Sequence, residues 1–153
     1  MNLRPKIALY EPDIPQNTAA IIRLCACLKL NIHIIEPCGF NIEDPRFKKV
    51  AMDYFRLTKI IRYPNFEEFL KKNIKSRIIL LTTKALKSYH KFRFRKKDFL
   101  LMGKESAGVP KEIHDKIKNK IKVPLNKKAR SLNVAMTVAI VASEALRQQK
   151  FFK

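Results

Sequence analysis

The chain has 153 residues, 46% of them hydrophobic, and carries 33 Lys and Arg against 13 Asp and Glu, a formal charge of +20. That length suits one domain, so residues 1–153 are expected to form a single unit around one core. Such a positive excess attracts polyanions, nucleic acid first among them. No apolar run approaches the roughly 20 residues of a membrane span, and the N-terminus shows no secretory apolar region, so a membrane or secreted protein is not expected.

In chain order, residues 6–10 and 31–35 are short runs rich in Ile, Ala or Leu and are read as buried strands. Between them Pro15 opens a helix, at a position where its missing N–H costs nothing. Further strands are expected at 57–61, 77–82, 98–102 and 120–123, and helices at 65–72, 111–118 and 132–149. Strands alternating with helices imply an α/β domain, a mostly parallel sheet with helices on both faces. The sequence shows no repeat, no linker and no second domain, and the tail 150–153 is expected to fray.

Cys25, Cys27 and Cys38 are odd in number and lack metal-ligand spacing, which points to free thiols in a reducing cytoplasm. His33, His90 and His114 are scattered, so no metal site is expected. Basic residues cluster in 84–97, interleaved with Tyr89, Phe92 and Phe94, and again in 111–130. Cations with aromatics between them suit a phosphate backbone and stacked bases. Phe92 and Phe94 are nevertheless read as anchors of a loop, and the charges as RNA or DNA contacts, with Lys84, Lys91, Arg93, Lys96 and Arg130 the candidates.

Three segments carry chemistry. In the helix that begins at Pro15, Ile21, Leu24, Cys25 and Leu28 form one core face. Arg23 lies about 200° from Ile21, among Gln16, Ala19, Ala20 and Cys27. It is either an ordinary solvated Arg or one raised above small residues that a ligand or second chain can approach. In the second segment, Gly103 and Gly108, two of only three glycines, fall in one loop between an apolar strand and a helix. Open α/β sheets bind ligands at such a place, and glycine permits either close backbone approach or positive φ. Glu105 in that loop orients a substrate or an Arg, or is simply exposed. Neither a Gly-x-Gly-x-x-Gly nor a Walker pattern is present. In the third segment, Ser131 is the expected N-cap of the last helix. That helix is apolar nearly all round and is therefore central or packed on a partner subunit.

Glu11-Pro12-x-Ile14-Pro15-x-Asn17-x-x-x-Ile21-x-Arg23-Leu24-Cys25 resembles the first motif of the SPOUT-superfamily RNA methyltransferases. Met102-Gly103-x-Glu105-x-x-Gly108-x-Pro110 resembles their second motif and Ser131-Leu132-Asn133-Val134-Ala135 their third. Order and spacing agree over essentially the whole chain, with no extension expected at either end. With His33-Ile34-Ile35-Glu36-Pro37-x-Gly39-Phe40 and Asp53-Tyr54, the chain is most similar to the short TrmL type, which methylates the 2′-hydroxyl of the tRNA wobble nucleotide. The resemblance implies a SPOUT fold with a C-terminal trefoil knot, a homodimer through the C-terminal helix, and S-adenosylmethionine as cofactor. The implied cofactor residues are Leu81, Gly103, Glu105, Gly108, Val123, Ser131 and Asn133, the last also bracing the knot. Arg23 and Asn17 are the implied catalytic residues, with Arg23 reaching across the dimer as base or as stabiliser of the alkoxide. The implied partner is the anticodon stem-loop of tRNA, methylated at position 34, cytidine or modified uridine. Where related enzymes often carry Tyr in the last helix, this chain has Ser143. The competing readings are a basic RNA-binding module without catalysis, and a 2′-O-methyltransferase of another RNA nucleotide.

Overall fold

The computed structural model describes residues 2–51 and 53–152. Six strands, β1 (Lys6–Tyr10), β2 (Asn31–Ile35), β3 (Ile60–Tyr63), β4 (Ile78–Leu81), β5 (Phe99–Met102) and β6 (Asn119–Ile121), form one sheet in the order β3-β2-β1-β5-β4-β6. Every pairing is parallel. Among the described residues six α-helices accompany it: α1 (Pro15–Leu28), α2 (Pro45–Ala51), α3 (Tyr54–Leu57), α4 (Phe66–Lys72), α5 (Lys111–Lys116) and α6 (Val134–Gln148).

Side chains alternate along a strand, and the alternation sorts the core into two layers. Ile7, Leu9, Ile32, Ile34, Leu100 and Met102 face α1, α2 and α6. Ala8, Tyr10, Ile35, Phe99 and Leu101 face Phe66 and Phe69 of α4 and Ile113 of α5. Both sheet faces are covered, which explains why the strands read as continuous apolar runs. Burial on α1 is wider than the expected stripe, taking in Thr18, Ala19 and Ile22 beside Ile21 and Cys25. Ala19 therefore belongs to the core rather than to the open side of Arg23. Lys29, with φ 54°, ends α1 in the left-handed region, and Leu30 N donates to Cys25 O at 2.8 Å.

Several boundaries differ from the sequence expectation. The third strand is Ile60–Tyr63; Leu57 closes α3 and is 71% exposed. Helices α2 and α3 were not anticipated, because neither is long enough to show a 3.6-residue period; both dock on α1. The last helix starts later than expected and is capped by Asn133, not Ser131. Asn133 Oδ1 accepts from Ala135 N at 2.9 Å and from Met136 N at 3.4 Å. Nor is α6 buried all round: Val138, Val141, Ala142, Ala145 and Leu146 are buried, whereas Met136 is 59% exposed and Ser143 is exposed. The tail is pinned as far as Phe151, whose N–H donates to Leu146 O at 3.0 Å and whose ring lies 4.8 Å from the Arg4 guanidinium. Lys153 lies outside the described residues.

Candidate active site

Strands β1 and β5 are neighbours, yet the chain leaves β1 toward α1 on one face and β5 toward α5 on the other. Such a reversal opens a crevice at the carboxyl ends of the strands. The two loops there are tied reciprocally. Asp13 N donates to Glu105 Oε2 at 3.0 Å, and Glu105 N donates to Asp13 Oδ1 at 3.1 Å. The Ser106 hydroxyl also donates to the Asp13 carboxylate, and Lys104 Nζ pairs with Glu11 at 3.0 Å. Asn17 Nδ2 reaches Glu105 Oε1 at 3.5 Å, and Asn133 Nδ2 donates to Asn17 Oδ1 at 2.9 Å. One polar network thus joins the three motif segments, which are more than a hundred residues apart at their extremes.

Two carboxyls in contact cannot both ionise freely. Burial pushes the Glu105 carboxyl above its ordinary range, and the neighbouring Asp13 adds to the shift. Hydrogen bonding from Glu105, seconded by Ser106, holds Asp13 down at about 2. Of the two carboxyls, Asp13 is therefore the one that ionises first as pH rises.

The glycines shape this loop for different reasons. Lys104 N donates to Gly108 O at 3.1 Å and Gly108 N to Lys104 O at 2.8 Å, closing a small ring. Gly108 sits at φ +68°, which glycine adopts without strain. A Cβ on Gly103 would lie 2.5 Å from the Gly108 carbonyl carbon and 2.6 Å from its Cα. The close approach that demands a glycine at 103 is therefore to the loop's own backbone.

Around the network lies a cleft of about 510 Å³, within the roughly 300–1,000 Å³ of small-molecule sites. Its lining brings together Asn17, Leu81, Lys84, Gly103, Glu105, Gly108, Val123, Ser131 and Asn133, all singled out in the sequence. It also includes the motif residue Met102, together with Lys104, Lys122 and His114, which the sequence did not assign to a cofactor site. His114 Nε2 is buried and has no hydrogen-bond partner among the described residues. Asp13 was missed as well, although it stands between two motif residues and its partner Glu105 was named.

Arg23 does not line this cleft. It is exposed, six residues beyond Asn17 and so about 9 Å along the helix, with its guanidinium 4.9 Å from the centre of the Tyr54 ring. Of the basic candidates, Lys84 lines the cleft, and Arg130 directly precedes the lining residue Ser131 in the chain. Lys91 and Arg93 are exposed on a stretch that descends beside α6, while Phe92 and Phe94, which alternate with them, are buried. Those rings are anchors, as expected. Gln148 Nε2 donates to Phe92 O at 3.0 Å, Phe94 N to Gln148 Oε1 at 3.0 Å, and Gln149 Nε2 to Phe94 O at 2.7 Å. Arg93 and Lys96 consequently sit by the C-terminal end of α6, at the sheet edge opposite the cleft.

The sequence pattern of the SpoU rRNA Methylase family matches residues 4–143. The chain belongs to that family. This SpoU-family chain is 46% identical over 144 residues to the tRNA (cytidine(34)-2′-O)-methyltransferase of Beijerinckia indica, covering 93% of this chain and 90% of the relative. It is 38% identical over 144 residues to the enzyme of the same name from Escherichia coli K12, covering 93% and 92%. A solved structure described as giving structural insights into the 2-OH methylation of C/U34 on tRNA superposes with a TM-score of 0.93 at 32% identity, over 99% of this chain and 100% of that one. The SpoU methyltransferase AviRb of Streptomyces viridochromogenes, solved with AdoMet, shares the fold at a TM-score of 0.88 and 19% identity, over 100% of this chain and 60% of that one. In the SpoU-family chain, no described group of His, Cys, Asp and Glu is arranged to hold a metal ion, and no described helix is long and apolar enough to cross a membrane.

Proposed function

We propose that the protein transfers a methyl group from S-adenosylmethionine to the ribose 2′-hydroxyl of the wobble nucleotide of tRNA, position 34, in the cytoplasm. The observation that carries this reading is the meeting of all three motif segments in one cleft at the β1–β5 reversal, in a chain whose relatives bear that activity in their names.

The cleft suits the cofactor. Leu81, Met102 and Val123 offer apolar walls for a purine, Glu105 and Asn133 offer polar atoms, and the unpartnered His114 Nε2 awaits a hydrogen-bonding group. Leu81, Gly103, Glu105, Gly108, Val123, Ser131 and Asn133 would hold it. When bound, S-adenosylmethionine supplies a methyl group already activated by its sulfonium charge. The protein's part is positioning and local electrostatics. Asn17, fixed between Glu105 and Asn133, orients the ribose. Arg23 lowers the cost of ionising the 2′-hydroxyl by placing positive charge beside the developing alkoxide.

Arg23 stands outside the cleft of its own chain, so this role requires a second copy. The exposed Met136 and half-buried Ala139 and Ile140 of α6, which packs beside α1, offer an apolar face for a homodimer. A C-terminal trefoil knot agrees with the chain leaving edge strand β6 and returning to the cleft lined by Gly103 and Gly108, where Asn133 at the start of α6 meets Asn17 of α1. Nucleoside mass spectrometry of tRNA incubated with the cofactor and either wild type or Arg23→Ala tests the proposal. Methylated ribose at position 34 is expected with wild type only; methylation at another nucleotide would replace the wobble assignment, and none at all would leave an RNA-binding module.

A further inference from the structure

Because all six strands are parallel, their starts share one edge of the sheet and their ends share the other. Acidic residues gather at the edge of strand ends: Glu11, Asp13, Glu36, Glu105 and Glu112 all follow strands there, mixed with lysines. The opposite edge is predominantly basic, and its acids are engaged: Glu144 of α6 pairs with Arg147 at 2.8 Å and accepts from Gln148 Nε2 at 2.8 Å. Contacts tie its basic groups together: Lys97 N donates to Leu3 O at 3.1 Å, Lys97 depresses the pKa of Lys6 after burial does, and Arg77 Nη2 donates to Arg93 O at 2.9 Å. A second acid there, Asp98, is 2% exposed and bonded by Arg77 at 2.5 Å and by Arg95 N at 2.6 Å. It is thus committed to shaping the turn, not to neutralising the surface. Arg93, Arg95 and Lys96 remain exposed.

This surface is also rigid. Buried Phe92 and Phe94 hold the stretch from within, and the Gln148 and Gln149 side chains bond three of its backbone groups. Like charges carried close together on a pinned backbone repel one another, and helix-end dipoles favour cations at exposed sites by only about 0.3–1 kcal/mol. A polyanion relieves the repulsion, and cations rising from an anchored backbone suit a phosphate backbone.

We propose that the edge formed by Arg93, Arg95 and Lys96, remote from the methyl-transfer cleft, grips the phosphate backbone of the substrate RNA. The proposal rests on the tRNA-methyltransferase reading and deepens it: one edge holds the RNA while the other carries the chemistry. The test compares Arg93→Gln/Arg95→Gln/Lys96→Gln with an equal neutralisation on α2, Arg46→Gln/Lys48→Gln/Lys49→Gln. Each protein is titrated with tRNA at several salt concentrations, and with S-adenosylhomocysteine by calorimetry. The edge variant is expected to bind tRNA at least tenfold more weakly, with the slope of log K against log salt shallower by about 2, three lost contacts at about 0.7 each. Its S-adenosylhomocysteine affinity should match wild type, which also shows that it is folded. Equal losses in both variants would mean that net charge alone matters and would overturn the proposal, as would an edge variant that binds tRNA like wild type. Equal weakening toward tRNA and toward anionic lipid vesicles would overturn it too. If wild type itself binds no tRNA, the functional reading fails before this one.

Discussion

The two edges of the sheet use charge in opposite ways. At the edge of strand ends, polar groups are tied to one another: Asp13 to Glu105 and Ser106 by hydrogen bonds, Glu11 to Lys104 as an ion pair. The product is a shaped cleft whose geometry depends on every member. At the edge of strand starts, cations stand exposed with their acid withdrawn to the interior. The product there is a field, tolerant of single losses. Bonded polar groups build form and exposed cations exert reach, so substitutions at the two edges should fail differently.

The largest effect is expected from Gly103→Val. The new Cβ meets backbone at 2.5 Å, so the Lys104–Gly108 ring must open, and overpacking of this kind costs about 1–3 kcal/mol. Calorimetry should show loss of S-adenosylhomocysteine binding, while the salt slope of tRNA binding stays that of wild type. A parallel collapse of tRNA binding would erase the distinction between the edges.

Arg23→Ala comes next. Methyl transfer should fall by about 100-fold or more, with stability changed by less than about 0.5 kcal/mol for an exposed side chain. Mixing Arg23→Ala chains with Gly103→Val chains should restore activity in the heterodimer, provided the Gly103→Val chain still folds and pairs, because one composite site regains both parts. A mixture as inactive as its parents, with heterodimers detected by native mass spectrometry, would place Arg23 in the service of its own chain.

Asn133→Ala should be milder. It removes the α6 cap, worth about 1 kcal/mol, and the bond to Asn17, lowering both melting temperature and cofactor affinity while sparing tRNA affinity. The smallest effect is a pH dependence. The raised Glu105 carboxyl contributes stability below its unfolded value, lost as pH rises through its folded one; the depressed Asp13 contributes above its unfolded value, lost as pH falls toward about 2. Glu105→Gln mimics the protonated partner, so its melting temperature should gain on that of wild type as pH rises from 4 to 7. A constant difference across that range would mean that Glu105 is ionised beside Asp13.

Much of this was legible in the sequence, for identifiable reasons. Strands β1 and β2 and helix α1 keep the expected bounds because each shows an unbroken pattern between clear stops, with Pro15 at the start of α1. Helices α2 and α3 offered too few residues for a period, and their stability comes from docking. Ser131 and Asn133 are equally good caps by type; the choice falls to Asn133, whose amide is held by a residue 116 positions earlier. The pairing of Asp13 with Glu105 is likewise long-range, and spacing along the chain carries no trace of it. The motif resemblance gathered most of the cleft lining, but not the fact that Arg93 and Lys96 lie at the far edge.

Helix α6 touches both edges. Asn133 at its start belongs to the cleft network, and Gln148 at its end clasps the basic stretch. Its 15 residues span about 22 Å as a straight rod. Such a rod works as a ruler: the interval between the gripped phosphates and the reacting cleft of the same subunit is set by a helix length, not by a flexible linker. Adding or deleting one turn of α6 would move that mark by about 5.4 Å, close to one nucleotide step, so selection of the nucleotide can depend on distance from a backbone landmark as well as on the base itself.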